Sequence, residues 1–235
     1  MDENKNYLDY QKILGITPGY KFAQSISLEF SLHVMASLKQ QDLRFDSVLE
    51  FGTTSNYDTV VSPFAGRNLI AFKEFFPNLK RIEGNDIFCP KEGIERDGIR
   101  YTYGDMYGKL STPDKSFDLV LLSAMFMPLP EEDVVKSINE AKRIARKYVV
   151  VIDIHNEALS AKDTIFEAVP ETLASDYNRE KSGHRVMQLI YLCRFQRNFR
   201  SYFPEAKKVV IDRMPKKLWP GESYKLDPSI LTFYL

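Results

Sequence analysis

The run FDLVLLSAM, from Phe117 to Met125, constrains the fold of this chain more than any other stretch. Its residues are almost all apolar, and polar residues do not alternate with them. This composition is typical of a strand whose two faces are both covered, as happens in a parallel sheet with helices on each side. The run therefore predicts an interior strand of an α/β domain.

Elements of the same two kinds recur along the chain. Apolar runs predict further strands at 47–51, 81–88, 99–103, 148–155, 209–215 and 229–235. Helical spacing of apolar residues predicts helices at 22–40, 64–76, 130–147 and 185–203. Strands that alternate with helices indicate a mostly parallel sheet, here of seven strands, with helices on both of its faces.

Size and composition fit a single domain, 1–235. The chain has 235 residues, of which 44% are hydrophobic, and this is enough for one large core. We divide it into an N-terminal helical cap, the core, an insertion and a C-terminal helix with two strands, at 1–44, 45–155, 156–182 and 183–235.

Charge and cysteine content argue against several classes of function. Lys plus Arg and Asp plus Glu both number 32, so nucleic acid is not the expected partner. The basic and aromatic stretch 197–210 is interpreted as a helix end, at which Arg197 and Arg200 favour the helix dipole. Two cysteines and three histidines show no metal-ligand spacing, so we expect neither a metal nor a disulfide. The absence of a long apolar run and of a signal peptide predicts a cytoplasmic protein without a membrane span.

Polar residues follow the predicted strands, and parallel sheets bind ligands at these carboxyl ends. The first strand is followed by Gly52, which allows a close approach to the main chain, and by Thr53, which offers a hydroxyl. This segment is either a cofactor loop or an ordinary turn. The carboxyl end of the second strand carries Asp86, which either accepts hydrogen bonds from a ribose diol or is a solvated turn acid.

The next two strands end in residues that suit a purine nucleotide. Asp105 can accept a hydrogen bond from an exocyclic amine, and Met106 can pack on a purine ring. Ser123 and Ala124 lie at the carboxyl end of the fourth strand, and their small side chains leave room for a ligand.

The segments SVLEFG, GND, YGDM and DKSFDLVLLSAMFMPLPEEDVVKSINEAKRIARKYVVVID together resemble the class I S-adenosylmethionine-dependent methyltransferases. The resemblance covers roughly residues 45–155. It implies a Rossmann-like α/β sheet whose last strand is antiparallel, with S-adenosylmethionine as the cofactor. The implied cofactor contacts are Glu50, Gly52 and Ser123 for the methionine part, Asp86 for the ribose, and Ile87, Asp105 and Met106 for the adenine.

The chain departs from that family in its glycine-rich loop, which is GTTSN here. Thr54 and Asn56 occupy positions at which the family has glycines. One predicted function is methyl transfer to a small molecule or sugar, since no basic face points to a larger acceptor. The alternative is a catalytically inactive methyltransferase-like protein kept as a binding or scaffolding partner. A dehydrogenase is a third possibility, but the loop lacks GxGxxG.

His155 is the predicted catalytic residue. A hydroxyl acceptor benefits from a general base, and imidazole titrates near neutral pH. His155 ends a core strand, and Asp153 is the second candidate. The alternative for His155 is a packed histidine bonded to the backbone, and His33 is expected to be a packed or surface histidine. In this family, insertions such as 156–182 often cover the substrate, so this segment, with residues 1–40, is predicted to be either a lid or an exposed connector.

Overall fold

The structure is a computed structural model, and it describes residues 26–53, 67–87, 89–105, 108–126, 129–160, 165–168, 193–215 and 228–235. Within these ranges the helices are α1 (Ile26–Gln40), α2 (Arg67–Phe75) and α3 (Glu131–Ile144), and a 3-10 helix spans Phe199–Tyr202. The strands are β1 (Ser47–Phe51), β2 (Arg81–Asp86), β3 (Ile94–Arg96), β4 (Ile99–Tyr103), β5 (Phe117–Ser123), β6 (Ala145–Ile154), β7 (Ile165–Ala168), β8 (Cys193–Gln196), β9 (Lys208–Arg213) and β10 (Pro228–Tyr234).

Eight of the described strands form one sheet, in the order β3-β4-β2-β1-β5-β6-β10-β9. The five strands from β4 to β6 in this order run parallel, and β10 is antiparallel to both of its neighbours. The predicted mostly parallel sheet with an antiparallel last strand is confirmed. The eighth strand is the short β3, which pairs antiparallel with β4 across a turn at Asp97 and Gly98. Both turn residues have positive φ, as the Asp-Gly hairpin turn requires.

The order of the strands reverses at β1. On one side β1 pairs with β2, and on the other it pairs with β5. In open parallel sheets, ligands bind beyond the carboxyl ends of the strands at such a reversal. The ends of β1, β2 and β5 therefore define the place where a ligand is expected.

The interior strands bury side chains on both faces, as the run from Phe117 predicted. In β5, Leu119 and Leu121 pack with α1 and α2, whereas Val120 and Leu122 pack with α3. We call these two sides the α1/α2 face and the α3 face. Each fully buried side chain of this size contributes about 1.5–3 kcal/mol to folding through transfer from water.

The predicted helix at 185–203 is wrong where the structure describes it. Its described part forms β8, which pairs with β7, and then the 3-10 helix. Positions 185–192 lie outside the described residues. Arg197 does not lie at a helix end but forms a β-bridge with His155, and Arg200 lies in the 3-10 helix. Pairing with a distant strand has overridden a local apolar spacing that resembled one helical stripe.

Several predicted boundaries also shift. The helix predicted to reach residue 147 ends at Ile144, because Ala145 already pairs with Phe117 as the first residue of β6. Pro130 is the N-cap of α3 and provides no side-chain cap. Parts of two other predicted helices, 22–25 and 64–66, lie outside the described residues.

On α1, His33 is buried against the core, as a packed histidine should be.

Across the described ranges, no helix has the length and the apolar character needed to cross a lipid bilayer.

A buried carboxylate ties the loop before β5 to α3. Glu140 accepts a hydrogen bond of 2.7 Å from the Leu110 backbone N–H. The Arg143 side chain donates to both Glu140 oxygens, at 2.6 and 2.9 Å. Burial raises the pKa of Glu140, but the hydrogen bonds from Arg143 and Leu110 outweigh burial and hold the pKa below its usual range.

We predict that Glu140→Gln lowers the free energy of unfolding by about 1–3 kcal/mol at pH 7, because the Arg143 partner is lost. The Glu140 pKa is lowered by folding, so its contribution is present above pH 4.5 and disappears as the pH falls further. Urea unfolding at pH 7 and pH 3 measures both effects. The exposed Glu132→Gln on the same helix serves as the control, and an equal loss in both variants would contradict the prediction.

Candidate functional site

Three predicted site residues lie on one face of the sheet. In the strand register, Glu50 pairs with Gly84 of β2 and with Leu121 of β5. Asp86 and Ser123 are each two residues further along these strands, and a step of two residues returns to the same face. Glu50, Asp86 and Ser123 therefore meet on the α1/α2 face, at the carboxyl ends of three adjacent strands.

The turn after β1 is joined to the end of β2. Gly52 has a φ of 72°, which lies in the left-handed region that favours glycine. The backbone N–H groups of Gly52 and Thr53 both donate to the carbonyl of Asn85, at 2.9 and 3.2 Å. Gly84 lies underneath, where an added Cβ would come within 3.1 Å of the Thr53 Cβ. The glycine quoted in the GND segment thus allows the turn to pack closely on β2.

Glu50 is held by a hydrogen-bond network to which α1 and α2 each contribute one side chain. The Asn68 side chain, on α2, donates to Glu50 Oε1 at 2.7 Å and to Ser123 Oγ at 3.2 Å. The Ser31 hydroxyl, on α1, donates to Asn68 Oδ1 at 3.0 Å. Neither Asn68 nor Ser31 was identified from the sequence, because an amide and a hydroxyl inside helices give no local signal of a site.

The ionisation of Glu50 is poised near neutrality. Burial raises the pKa of its carboxyl to about 7, against the lowering effect of hydrogen bonds from Asn68 and Thr53, and neighbouring Asp86 raises it further. Oε2 is buried and has no hydrogen-bond partner among the described residues. A buried acceptor beside a second carboxylate favours a cationic ligand group, because a positive charge would stabilise both acids.

Exposed apolar side chains flank Asp86. Asp86 itself is buried at the end of β2, and the next residue, Ile87, is exposed. Tyr103 pairs with Asp86 in the strand register and is also exposed. Asp105, two residues after Tyr103 in the chain, is exposed as well. Met106 lies outside the described residues. Two exposed apolar side chains, Ile87 and Tyr103, thus lie next to Asp86 in the chain and in the strand register, and a flat ring could pack on them.

The predicted base lies on the other side of the sheet. Val149 and Val151 pack on the α3 face, so Asp153 and His155 point to that face as well. His155 Nδ1 accepts a hydrogen bond of 3.2 Å from the Phe199 N–H, and its Nε2 lies 3.7 Å from a Glu157 oxygen. Burial lowers the pKa of His155. The geometry matches the packed-histidine alternative, and the catalytic role stays a prediction without structural support.

Arg197 is a buried residue whose role the sequence did not reveal. Its guanidinium donates to the carbonyls of Phe126 and Leu129, and it pairs with Glu131 at 3.1 Å. On the other side, Asp153 accepts the Phe126 N–H at 3.1 Å. The peptide groups of Phe126 are held on both sides, which fixes the segment that follows Ser123. Burial raises the pKa of Asp153 to about 7, although its hydrogen bonds and Arg197 lower it.

Within the described part of the chain, no group of three or more His, Cys, Asp or Glu side chains could hold a metal ion.

At the sequence level, no family model and no curated protein matches. Among solved structures, the N-terminal domain of EvdMO1, determined with S-adenosylhomocysteine and D-fucose, superposes with a TM-score of 0.51 and 10% identity over 100% of this chain and 97% of that one. The fold is that of class I S-adenosylmethionine-dependent methyltransferases.

A second structure, that of a methyltransferase, agrees with the first. The 1,6-didemethyltoxoflavin-N1-methyltransferase of Burkholderia thailandensis was determined with 1,6-didemethyltoxoflavin and S-adenosylhomocysteine. It superposes with a TM-score of 0.50 and 10% identity, over 98% of this chain and 85% of that one. In the methyltransferase fold, the cradle of Glu50, Asp86 and Ser123 lies at the strand reversal.

We predict that Glu50→Gln removes a pH-dependent destabilisation. The folded-state pKa of about 7 lies above the ordinary value of 4.5, so folded Glu50 holds its proton longer than the unfolded residue does. Stability is then lost as the pH rises through this range. The difference in the free energy of unfolding between the variant and the unmodified protein should grow, in favour of the variant, by roughly 2 kcal/mol from pH 5 to pH 8. Urea unfolding at several pH values measures it. The exposed Glu95→Gln is the control, and a pH-independent difference for Glu50→Gln would contradict the assignment.

We predict that His155→Asn is tolerated better than His155→Ala. The Asn carbonyl oxygen can accept the Phe199 N–H in place of Nδ1, whereas Ala leaves that buried donor unsatisfied at a cost of about 1–3 kcal/mol. Denaturant unfolding of the two variants at pH 7 measures the difference. Equal stability of the two variants would show that the hydrogen bond to Phe199 is not the role of His155.

Proposed function

We propose that this protein binds S-adenosylmethionine and transfers its methyl group to a small-molecule acceptor. The observation that carries the proposal is the buried Glu50 carboxylate at the strand reversal of a methyltransferase fold. Its Oε2 has no hydrogen-bond partner among the described residues, and the charge of Asp86 acts on it. S-adenosylmethionine has a cationic amino group and a ribose diol. Two adjacent carboxylates can accept hydrogen bonds from both of these groups.

In this proposal, the residues of the α1/α2 face divide the cofactor between them. Glu50 accepts from the amino group of the methionine part, and the turn at Gly52 and Thr53 lies against it. Asp86 accepts from the ribose hydroxyls. The adenine packs on the exposed apolar surface beside Asp86, where Ile87 and Asp105 were predicted to contact it and Tyr103 adds an aromatic face.

The chain contributes mainly position and the exclusion of water. When bound, S-adenosylmethionine supplies a methyl group on a sulfonium centre, and transfer requires the acceptor in line with it. Binding converts the encounter into a reaction between held partners, which lowers the entropic part of the barrier. Ser123 and the fixed segment after it border the site on the β5 side and limit where an acceptor can lie.

The acceptor class is part of the proposal. One similar structure was determined in the presence of D-fucose and the other with bound 1,6-didemethyltoxoflavin. The equal numbers of acidic and basic residues here favour a small acceptor of this kind over a polyanion. Segment 156–182 is proposed as part of the cover over the acceptor, although most of it lies outside the described residues.

The sequence of the glycine-rich loop favours a second candidate. Thr54 and Asn56 add side chains where the family has glycines, and both lie outside the described residues. A protein that keeps the fold but binds no cofactor would act through partner binding instead. The two candidates differ in one measurable property, the affinity for S-adenosylmethionine.

We predict that calorimetric titration with S-adenosylmethionine and S-adenosylhomocysteine gives saturable heat. Asp86→Asn should bind about 10- to 100-fold more weakly, because charge-assisted hydrogen bonds to the ribose are lost. Asp97→Asn is the matched control, since Asp97 lies in an exposed turn whose positive φ suits Asn equally well. An absence of heat with the unmodified protein favours the inactive alternative, and unchanged affinity of Asp86→Asn refutes the ribose assignment.

A further inference from the structure

The Asn68 side chain connects three elements of the site through all of its polar atoms. Its NH₂ group donates to Glu50 on β1 and to Ser123 on β5, and its oxygen accepts from Ser31 on α1. We propose that Asn68 is a positioning residue through which α1 holds the Glu50 carboxylate in the orientation that binds the cofactor's ammonium group. This inference rests on the proposed function.

When Glu50 is ionised, its carboxylate favours one orientation of the Asn68 amide. An ionised carboxylate only accepts hydrogen bonds, so the NH₂ group of Asn68 must face Glu50. The Ser31 hydroxyl then donates to Asn68 Oδ1, which keeps the oxygen away from Glu50. If the amide turned over, its oxygen would face the carboxylate and repel it. Ser31 therefore adds a second hydrogen bond to the amide in the orientation that the ionised Glu50 requires.

Glu50 depends on this amide because its other neighbours do not neutralise it. On β2, the charged group beside it is Asp86, which raises the pKa of Glu50. The groups that reach it or its network from α1, α2, β5 and the turn are the uncharged Ser31, Asn68, Ser123 and Thr53. Among the described residues, no lysine or arginine contributes to this pKa. Asn68 is thus the strongest donor available to the ionised form.

The two carboxylate oxygens of Glu50 then differ in their hydrogen bonding. Oε1 accepts the 2.7 Å hydrogen bond from Asn68, and Oε2 has no partner among the described residues. The occupied oxygen fixes the plane of the carboxylate and leaves the second oxygen for the ligand. Because the fixing group is itself held by Ser31, a change in α1 alters cofactor affinity without any contact between α1 and the cofactor.

The experiment measures S-adenosylmethionine affinity by calorimetry between pH 5.5 and 7.5. In the unmodified protein, affinity should rise with pH as Glu50 ionises. Asn68→Ala should weaken binding about 10- to 100-fold at pH 7 and move this rise to higher pH, because the ionised carboxylate loses its donor. Ser31→Ala should weaken binding about 2- to 10-fold. Ser37→Ala, also buried on α1 but hydrogen-bonded to Gln41, is the matched control and should bind normally.

A double substitution tests whether Asn68 acts through Glu50. In Glu50→Gln the affinity should no longer depend on pH, and adding Asn68→Ala should weaken binding less than twofold further. Multiplicative losses in the double variant, or an unmoved pH profile in Asn68→Ala, would show that Asn68 is merely structural and overturn the proposal.

A measurement without cofactor separates this proposal from the proposed function. The pH at which Glu50→Gln gains stability in urea unfolding should move upward in the Asn68→Ala background. No heat with the unmodified protein refutes the function and, with it, the role of Asn68 in binding. Heat that is unaffected by Asn68→Ala and Ser31→Ala refutes the role of Asn68 alone.

Discussion

Glu50 is buried near the centre of the sheet, with Asp86 beside it and no lysine or arginine among the described residues contributing to its pKa. Burying an ionisable group without a counter-charge is costly, and the usual response is a pKa shift toward the neutral form. The surrounding structure reduces this cost only in part, through Asn68 and Thr53. The remaining cost is what makes the position receptive to a cation.

The two-residue period of the strands decides which polar groups can act together. Glu50, Asp86 and Ser123 belong to three strands, but their register brings them to one face. Asp153 and His155 lie at the end of the adjacent strand β6 and point to the opposite face, where Phe126, Phe199 and Arg197 use their hydrogen-bonding groups. The sheet thus separates a cradle of carboxylates from a network that fixes the neighbouring loop.

The sequence predicted the parts of the fold that depend on local patterns. Apolar runs located the interior strands, and their order together with the resemblance predicted the methyltransferase fold and the antiparallel β10. The face on which a strand-end residue lies could not be predicted, because it depends on where the strand pairs with its neighbours. His155 lies at a strand end just as Asp86 does, and only the register shows that the two side chains point in opposite directions.

Residues that act through distant partners were also missed. Arg197 contacts backbone about 70 positions earlier in the chain, and Asn68 contacts Ser123, 55 positions later. Helical spacing around Arg197 predicted a helix because it cannot record the pairing of β7 with β8. Glu50 was recognised from the resemblance, but its raised pKa arises from burial and from Asp86, which become neighbours only in the folded sheet.

The place of β10 affects how a newly made chain reaches this structure. β10 lies between β6 and β9 although it follows both in sequence, and β9 pairs with no other strand of the described sheet. While the chain is synthesised, β1, β2 and β5 can assemble early, but β9 cannot join until β10 has emerged, roughly a second or more later. During that interval the edge of β6 is open to pairing with other chains. A nascent molecule can therefore hold a formed ligand cradle and an uncapped sheet edge at the same time. Ligand bound at that stage would stabilise β1, β2 and β5 before β10 covers the edge of β6.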